Sequence, residues 1–359
     1  MKSKKTINDA VNWYSEKRPV YEQLSKKIES IVQEIINDQK VHIHAISSRT
    51  KEIDSFKKKI EDPKYTDPIN QITDYSGIRI ITYVESDLEL VCKVLEANFD
   101  IDIENSIDKS KTLGVDKVGY RSIHYICKLL SNRIKLPEYK KFNSMCFEIQ
   151  VRTILQHGWS EVEHDKDYKF SGELPLHLKR RFKILAGVLE LADREFNEIA
   201  HEIDKYSASV KADTEKGNFD ILIDSTSVKS YLELKFDTLI KRGMKPAFFD
   251  DNYEKAVLAE MKIFGINTLE DLDDIIPKDL VEKVLLYYEF ATETERLNYA
   301  GLLRNIMIIV DIEKYFNLCW QHSWIGLNNN TLELIKSYEV PIEEYVKKLE
   351  ITVGEYQKK

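Results

Sequence analysis

The chain has 359 residues, of which 43% are hydrophobic and 32% charged, with a formal net charge of −8. That length suits about two domains with cores of their own, and the composition excludes collagen-like and disordered chains. No apolar run approaches the ~18–20 residues of a membrane span, and Met1-Lys2-Ser3-Lys4-Lys5 is not followed by the apolar stretch of a secretory leader. Four scattered cysteines (Cys92, Cys127, Cys146, Cys319) are too few for a disulfide framework, so the expectation is a cytoplasmic protein with reduced thiols. Residues 1–212 carry 35 Lys+Arg against 34 Asp+Glu, whereas 213–359 carry 18 against 27. A near-neutral half joined to an acidic half predicts two functional units.

From the N-terminus, Val11, Tyr14, Val20, Leu24, Ile28, Ile31 and Ile35 recur at helical spacing, and Pro19 predicts two helices or one with a kink. Val41, Ile43 and Ala45 alternate with His42 and His44, as a strand does. A helix is predicted over 53–60, a loop with Pro63 and Pro68 follows, and 78–84 reads as a buried strand. Next come a helix over 88–99, strands over 101–107, 122–130 and 146–153, and helices over 154–168 and 175–206. The alternation predicts an α+β fold, a mixed β-sheet flanked by helices. Beyond the polar stretch Thr214-Glu215-Lys216-Gly217-Asn218, helices predicted over 222–240, 252–264, 269–275, 280–290, 293–316 and 331–349 make an all-α C-terminal domain. The expected organisation is N-terminal helices at 1–40, an α+β domain at 41–212 and an acidic helical domain at 213–359.

The usual phosphate loops are missing. Gly114-Val115-Asp116-Lys117-Val118-Gly119 has the glycine spacing of a P-loop, but Tyr120-Arg121 stand where Lys and Ser/Thr belong. A nucleotide site here is therefore built from side chains. In the strand from Phe147, alternation puts Glu148, Gln150 and Arg152 on one face, readable as a half-exposed antiparallel strand or as the polar floor of a cleft. Downstream, His157, Glu161, His164 and Tyr168 form a polar helical stripe, readable as a solvated face. Arg49, Lys51, Ser55, Lys58 and Lys59, placed at the start of a helix, suit a polyphosphate, although lysine-rich helices are common soluble surfaces. Asp74 and Glu148, on neighbouring strands, suit one Mg²⁺ whose other positions phosphates fill. Gly119-Tyr120-Arg121-Ser122-Ile123-His124 presents an aromatic ring fit for base stacking.

In order along the chain these pieces read Arg49-x-Lys51-x3-Ser55-x3-Lys59, Asp74-x4-Arg79, Gly119-Tyr120-x-Ser122-x-His124, Glu148-Ile149-Gln150-Val151-Arg152-Thr153 and Trp159-x3-Glu163-His164. Over about residues 40–170 they resemble the synthetase domain of the RelA/SpoT alarmone enzymes, nearest to the small forms without a hydrolase. The resemblance implies a nucleotidyltransferase-like fold and transfer of the β,γ-pyrophosphate of ATP to a ribose 3′-OH. It implies that Arg49 and Arg79 sandwich adenine, that Lys51, Ser55 and Lys59 hold phosphates, and that Asp74 and Glu148 bind Mg²⁺. Glu148 would also deprotonate the acceptor hydroxyl, Tyr120 would stack on the acceptor base, and Ser122, His124 and Gln150 would line that pocket.

The one His-Asp pair, His164-Asp165, lies inside the synthetase motif, so no hydrolase activity is expected. Residues 113–118 hold Lys117 as the only basic residue, beside Asp116, where alarmone-making relatives have cations for GDP or GTP 5′-phosphates. The length and helical C-terminal domain resemble fused toxin–antitoxin members of the CapRel type, which implies a toxin-like enzyme of phage defence. Such an enzyme would act on the 3′ CCA end of tRNA, be inhibited by its own C-terminal domain and be triggered by a phage protein. Lys17, Arg18, Arg180 and Arg181 are then candidate RNA contacts, or else solvated helix faces. The alternatives are a (p)ppGpp synthetase using GDP or GTP, and a catalytically silent nucleotide or RNA sensor. Cys319-Trp320-Gln321-His322 is half of a zinc-ligand pattern without a second half, so Trp320 is expected in a core and the domain is expected to hold no zinc.

Overall fold

The apolar runs of the N-terminal half become a five-stranded sheet: β1 (Ile43–Thr50), β2 (Ser76–Thr82), β3 (Phe99–Asp108), β4 (Ile123–Leu129) and β5 (Phe147–Thr153). The structure, a computed structural model, describes residues 4–108, 122–169, 175–242, 251–288, 297–320, 324 and 326–354. The chain divides into two units, Met1–His201 and Glu202–Lys359. No helix among the described residues is long and apolar enough to cross a membrane.

In the first unit the strand order is β1-β2-β5-β4-β3, with β2 and β5 parallel and the other pairs antiparallel. β5 is thus central and buried along its whole length, on both faces. The half-exposed antiparallel reading of this strand does not hold: Glu148, Gln150 and Arg152 are only 9%, 8% and 5% exposed.

Helix α1 (Lys4–Asp38) is one continuous helix with Pro19 inside it. Its buried Tyr14, Leu24, Ile28, Val32 and Ile36 join Ile78 and Ile80 of β2 and Phe147, Ile149 and Val151 of β5 in a single core. Residues 1–40 are therefore part of the sheet's own hydrophobic layer. The polar side chains of α1 pin strand ends: Tyr14 Oη donates to Lys51 O at 2.5 Å, and Ser25 Oγ donates to Ser76 Oγ at 3.0 Å. Helix α2 (Ile53–Ile60) and helix α3 (Glu85–Asn98) bury Phe56, Ile60, Val91 and Leu95 in the same core. Helix α4 (Ile154–Lys169) continues directly from β5. Helix α5 (Leu176–Glu215) holds Gly187 but no proline, and Gly217 at φ 77° follows its end.

The second unit is built on short helices, among them Ser225–Lys235, Asp251–Phe264, Leu269–Ile275, Leu280–Tyr287 and Tyr299–Val310. Two predicted long helices are broken. Asp311 ends the first, its side chain capping the turn at Lys314, and Pro341, after Glu339 at φ 61°, separates Asn329–Lys336 from Ile342–Lys348. A two-residue parallel pair, Gly326–Leu327 with Thr352–Val353, accompanies the helices. Trp320 is buried against Phe316 and Trp324 in the core. Inside the same core Arg304 donates to Glu260 twice, at 2.9 and 2.8 Å, and Tyr315 Oη donates to Glu260 at 2.9 Å.

Removing one member of a buried, doubly hydrogen-bonded ion pair strands the other charge, at a cost of about 3–5 kcal/mol. Arg304→Met should therefore lower the urea midpoint of the second unit's unfolding far more than Lys241→Met, whose pair with Asp237 is exposed.

Candidate active site

The pleat of β5 and its two neighbours set the site. In cross-strand register Arg79 of β2, Gln150 of β5 and His124 of β4 form one row, with Ser47 of β1 beside Arg79. The adjacent row runs Arg49, Gly77, Glu148 and Ile126. Gly77 leaves room here: a Cβ built on it would meet Cγ and Nε of Arg49, each at 3.5 Å, so the arginine lies across the glycine. Arg49 is on the strand, not at the start of the following helix.

A burial this deep obliges each polar group to find a partner. Ser122 Oγ and His124 Nε2 are 2.9 Å apart, His124 Nδ1–H donates to Glu148 Oε1 at 2.7 Å, and Gln150 Nε2 donates to Glu148 Oε2 at 2.8 Å. Arg152 Nη2 then donates to Gln150 Oε1 at 2.6 Å. Burial pushes the Glu148 carboxyl upward, but the bonds from His124 and Gln150 outweigh it and hold the group below the ordinary glutamate range. Asp74 opposes them by like-charge repulsion, which places the two carboxylates within electrostatic reach of each other.

Asp74 lies in the segment just ahead of β2 rather than on a strand. Its Oδ2 takes ion pairs from Lys51 Nζ at 2.8 Å and Lys59 Nζ at 2.9 Å. Burial raises its pKa and the two ammonium groups lower it, with the net shift downward. Its other oxygen, Oδ1, is buried with no hydrogen-bond partner. An acceptor left bare in a buried site is a natural ligand for a hard cation. Among the described residues no three His, Cys, Asp or Glu side chains gather as a metal cluster, so such a cation would draw its remaining ligands from elsewhere.

The far side of the face is cationic. Arg152 is pushed down to about 10, first by burial and then by Arg79, with Arg49 acting in the same sense and Glu161 against it. Arg79 Nη1 pairs with Glu161 of α4 at 2.9 Å, and burial followed by Arg79 lowers the pKa of His157. Three guanidinium groups within electrostatic reach of one another, with Glu161 and Glu148 acting against them, make a site for an anion or for a flat, electron-rich ring.

The structure thus brings together Arg49, Lys51, Lys59, Asp74, Arg79, His124, Glu148 and Gln150. Ser55 is exposed on the first turn of α2. Ser122 joins through His124, while Tyr120 and Arg121 lie outside the described residues, as do the side chains of His164 and Tyr168. Of the candidate RNA contacts, Arg18 is tied to Glu22, to Glu52 and to Lys51 O. Three of its five N–H donors are thus used within the chain, whereas Lys17, Arg180 and Arg181 are exposed.

Sequence reasoning missed two features. Arg152 sits on the same face as Glu148 and Gln150 by simple alternation, and that parity was the signal for a role. Asp193 of α5 is 2% exposed and accepts from Thr153 Oγ1 at 2.6 Å and Gln156 Nε2 at 3.2 Å, clasping the end of β5. Forty residues separate Asp193 from Thr153, and no local pattern announces the contact.

Known proteins are similar to the same stretch of chain. Residues 48–173 match the family described as a region found in RelA / SpoT proteins. That stretch, about a third of the chain, is similar to the RelA/SpoT region. It is similar to GTP pyrophosphokinase YwaC of Bacillus subtilis, 33% identical over 133 residues that cover 37% of this chain and 60% of YwaC. It is also similar to GTP pyrophosphokinase YjbM of the same organism, 26% identical over 171 residues that cover 46% of this chain and 76% of YjbM. Among solved structures, small alarmone synthetase 1 from Bacillus subtilis is 24% identical with a TM-score of 0.46, covering 54% of this chain and 98% of that one.

Because Asp74 holds its proton less tightly in the folded domain than its ordinary value of 3.8, its stabilising effect is present above that value and lost as pH falls below it. Asp74→Asn should lower stability at neutral pH and flatten the acid decline below about pH 4, read by thermal denaturation across pH.

Proposed function

We propose that the RelA/SpoT-type domain is a pyrophosphokinase that transfers the β,γ-pyrophosphate of ATP to the 3′-OH of a ribose. The observation carrying this reading is the gathering of cations, Arg49 and Arg79 on the sheet and Lys51 and Lys59 at its end, beside Glu148 held ionised by His124 and Gln150. The names of YwaC and YjbM support the same reaction class.

Arg49 and Arg79 would take the adenine between their planes, and Lys51, Lys59 and Ser55 the phosphates. Asp74 and Glu148 fit Mg²⁺ as a carboxylate pair with one bare oxygen, and the ion, when bound, supplies neutralisation of phosphate charge. The acceptor hydroxyl oxygen forms a bond to the β-phosphorus while the bond from that phosphorus to the α,β-bridging oxygen breaks, and AMP leaves carrying that oxygen and the electron pair. The hydroxyl proton passes to Glu148, whose two hydrogen bonds fix it toward the nucleophile. A carboxylate with a lowered pKa is a weak base, so its contribution lies as much in orientation as in proton affinity.

Two acceptors satisfy this chemistry. A guanine nucleotide is favoured by the relatives' names, and the 3′ end of tRNA by the scarcity of cations before the Gly-Tyr turn, with Lys117 beside Asp116. Tyr120 would stack on the acceptor base in either case, with Ser122, His124 and Gln150 along its edge. All the donor, metal and acceptor residues fall between Arg49 and Gln150, so residues 213–359 are read as regulatory and outside the chemistry.

Full-length protein incubated with ATP labelled at the γ-phosphate should label GDP, GTP or tRNA, and the labelled species identifies the acceptor. Glu148→Gln should reduce transfer by about 10³-fold or more while ATP still binds, and no transfer to any of the three acceptors would overturn the reading. Since Lys51 and Lys59 neutralise Asp74 in the nucleotide-free protein, Mg²⁺ alone should bind far more weakly than Mg²⁺ with a non-hydrolysable ATP analogue, as titration calorimetry would show.

A further inference from the structure

Two polar atoms at the arginine end of the sheet face, Arg152 Nε and His157 Nδ1, are buried with no hydrogen-bond partner. Arg152 is only 5% exposed, and its bond to Gln150 uses Nη2, which leaves Nε–H over. His157 stands near the start of α4, within electrostatic reach of both Arg152 and Arg79. A bare donor or acceptor in a buried position is costly to the fold, so a pair of them in a candidate site asks for the ligand that completes them.

The two atoms are of opposite kind. Arg152 Nε–H can only donate. Burial and then Arg79 disfavour a charged imidazole at His157, and a neutral ring with its proton on Nε2 presents Nδ1 as an acceptor. Glu161 Oε1 lies 3.6 Å from that Nδ1, too far for a hydrogen bond, and 2.9 Å from Arg79 Nη1. With its side chain 57% exposed, Glu161 can turn into solvent and vacate both.

One donor beside one acceptor matches the edge of adenine. The exocyclic amino group of adenine donates, and the ring nitrogens flanking it, N1 and N7, accept. Guanine and hypoxanthine carry a carbonyl oxygen where that amino group stands, which would set lone pair against lone pair at Nδ1. The guanidinium planes of Arg49 and Arg79 suit the face of any purine, so the face alone does not choose among them. The edge does.

We propose that Arg152 and His157 are specificity-determining residues that read the adenine edge of the pyrophosphate donor. His157 Nδ1 accepts from the 6-amino group, and Arg152 Nε donates to a ring nitrogen beside it. The inference rests on the reading of Arg49 and Arg79 as the clamp on the donor base, and adds to it the reason that ATP is chosen over other purine nucleoside triphosphates.

The test is titration calorimetry of the full chain, with Mg²⁺, against the α,β-methylene analogues of ATP and of inosine triphosphate. The unaltered protein should bind the adenine analogue about tenfold or more tightly than the inosine one. His157→Phe keeps a ring but removes the acceptor, and should bring the two affinities to within about twofold. His157→Asn, whose Oδ1 stands near the place of Nδ1, should restore much of the preference. Arg152→Lys keeps the charge but loses the Nε–H, and should weaken the adenine analogue by about tenfold with circular dichroism unchanged. Equal affinities for the unaltered protein, a preference that survives His157→Phe, or an Arg152→Lys variant that binds as tightly as before overturns the inference and leaves the pyrophosphokinase reading in place. Failure of both analogues to bind overturns the two together.

Discussion

Glu148, Gln150 and Arg152 lie on a strand with strands on both sides and are almost fully buried. Three polar residues in that position are tolerable only if every one is hydrogen-bonded or charge-compensated. They bond to one another along the strand and to His124 across it, while Arg152 Nε is buried without a hydrogen-bond partner. This single row fixes the direction of the Glu148 carboxylate, and the rest of the site is arranged around it.

The parallel pairing of β2 with β5 is the second constraint. Parallel neighbours start at the same end of a sheet, so Asp74, just ahead of β2, comes to the same end as Glu148, near the start of β5. An antiparallel arrangement would have separated them by the length of a strand. β1, antiparallel to β2, then ends where β2 begins, which delivers Arg49 over Gly77 and Lys51 beside Asp74. Helix α1 holds these strand ends through Tyr14 and Ser25, so an element that looks like a separate N-terminal piece is structurally part of the site's support.

Much of this was legible in the amino-acid sequence, for reasons that can be named. Alternation put Glu148, Gln150 and Arg152 on one face, the apolar run after Gly77 announced a buried strand, and the helix over 53–60 fell at its predicted bounds. Where long-range contacts decide, local pattern misled. Alternation in β5 looked like a strand with one wet face, because a polar face satisfied by neighbouring strands has the same period as one satisfied by water. Arg49 looked helical because Lys51 and Ser55 follow it, yet it pairs as strand with Gly77. The predicted helix over 331–349 overlooked Pro341, and the clasp of Asp193 on Thr153 had no local signature at all.

The sequence by itself determined the chemical kinds of residue and their order: cations and a hydroxyl, then a carboxylate, then an aromatic turn, then Glu-x-Gln-x-Arg. Those follow from side-chain type and from the two-residue period of a strand, which are properties of neighbours along the chain. Only the tertiary structure decided that Asp74 is neutralised by two lysines while keeping one bare oxygen, that Glu148 leans on His124, and that arginines from three strands come within electrostatic reach of one another. Each of those depends on strand order and register, which are set by how the hydrophobic layer of α1, α2 and α3 closes over the sheet, and no stretch of local sequence encodes that closure on its own.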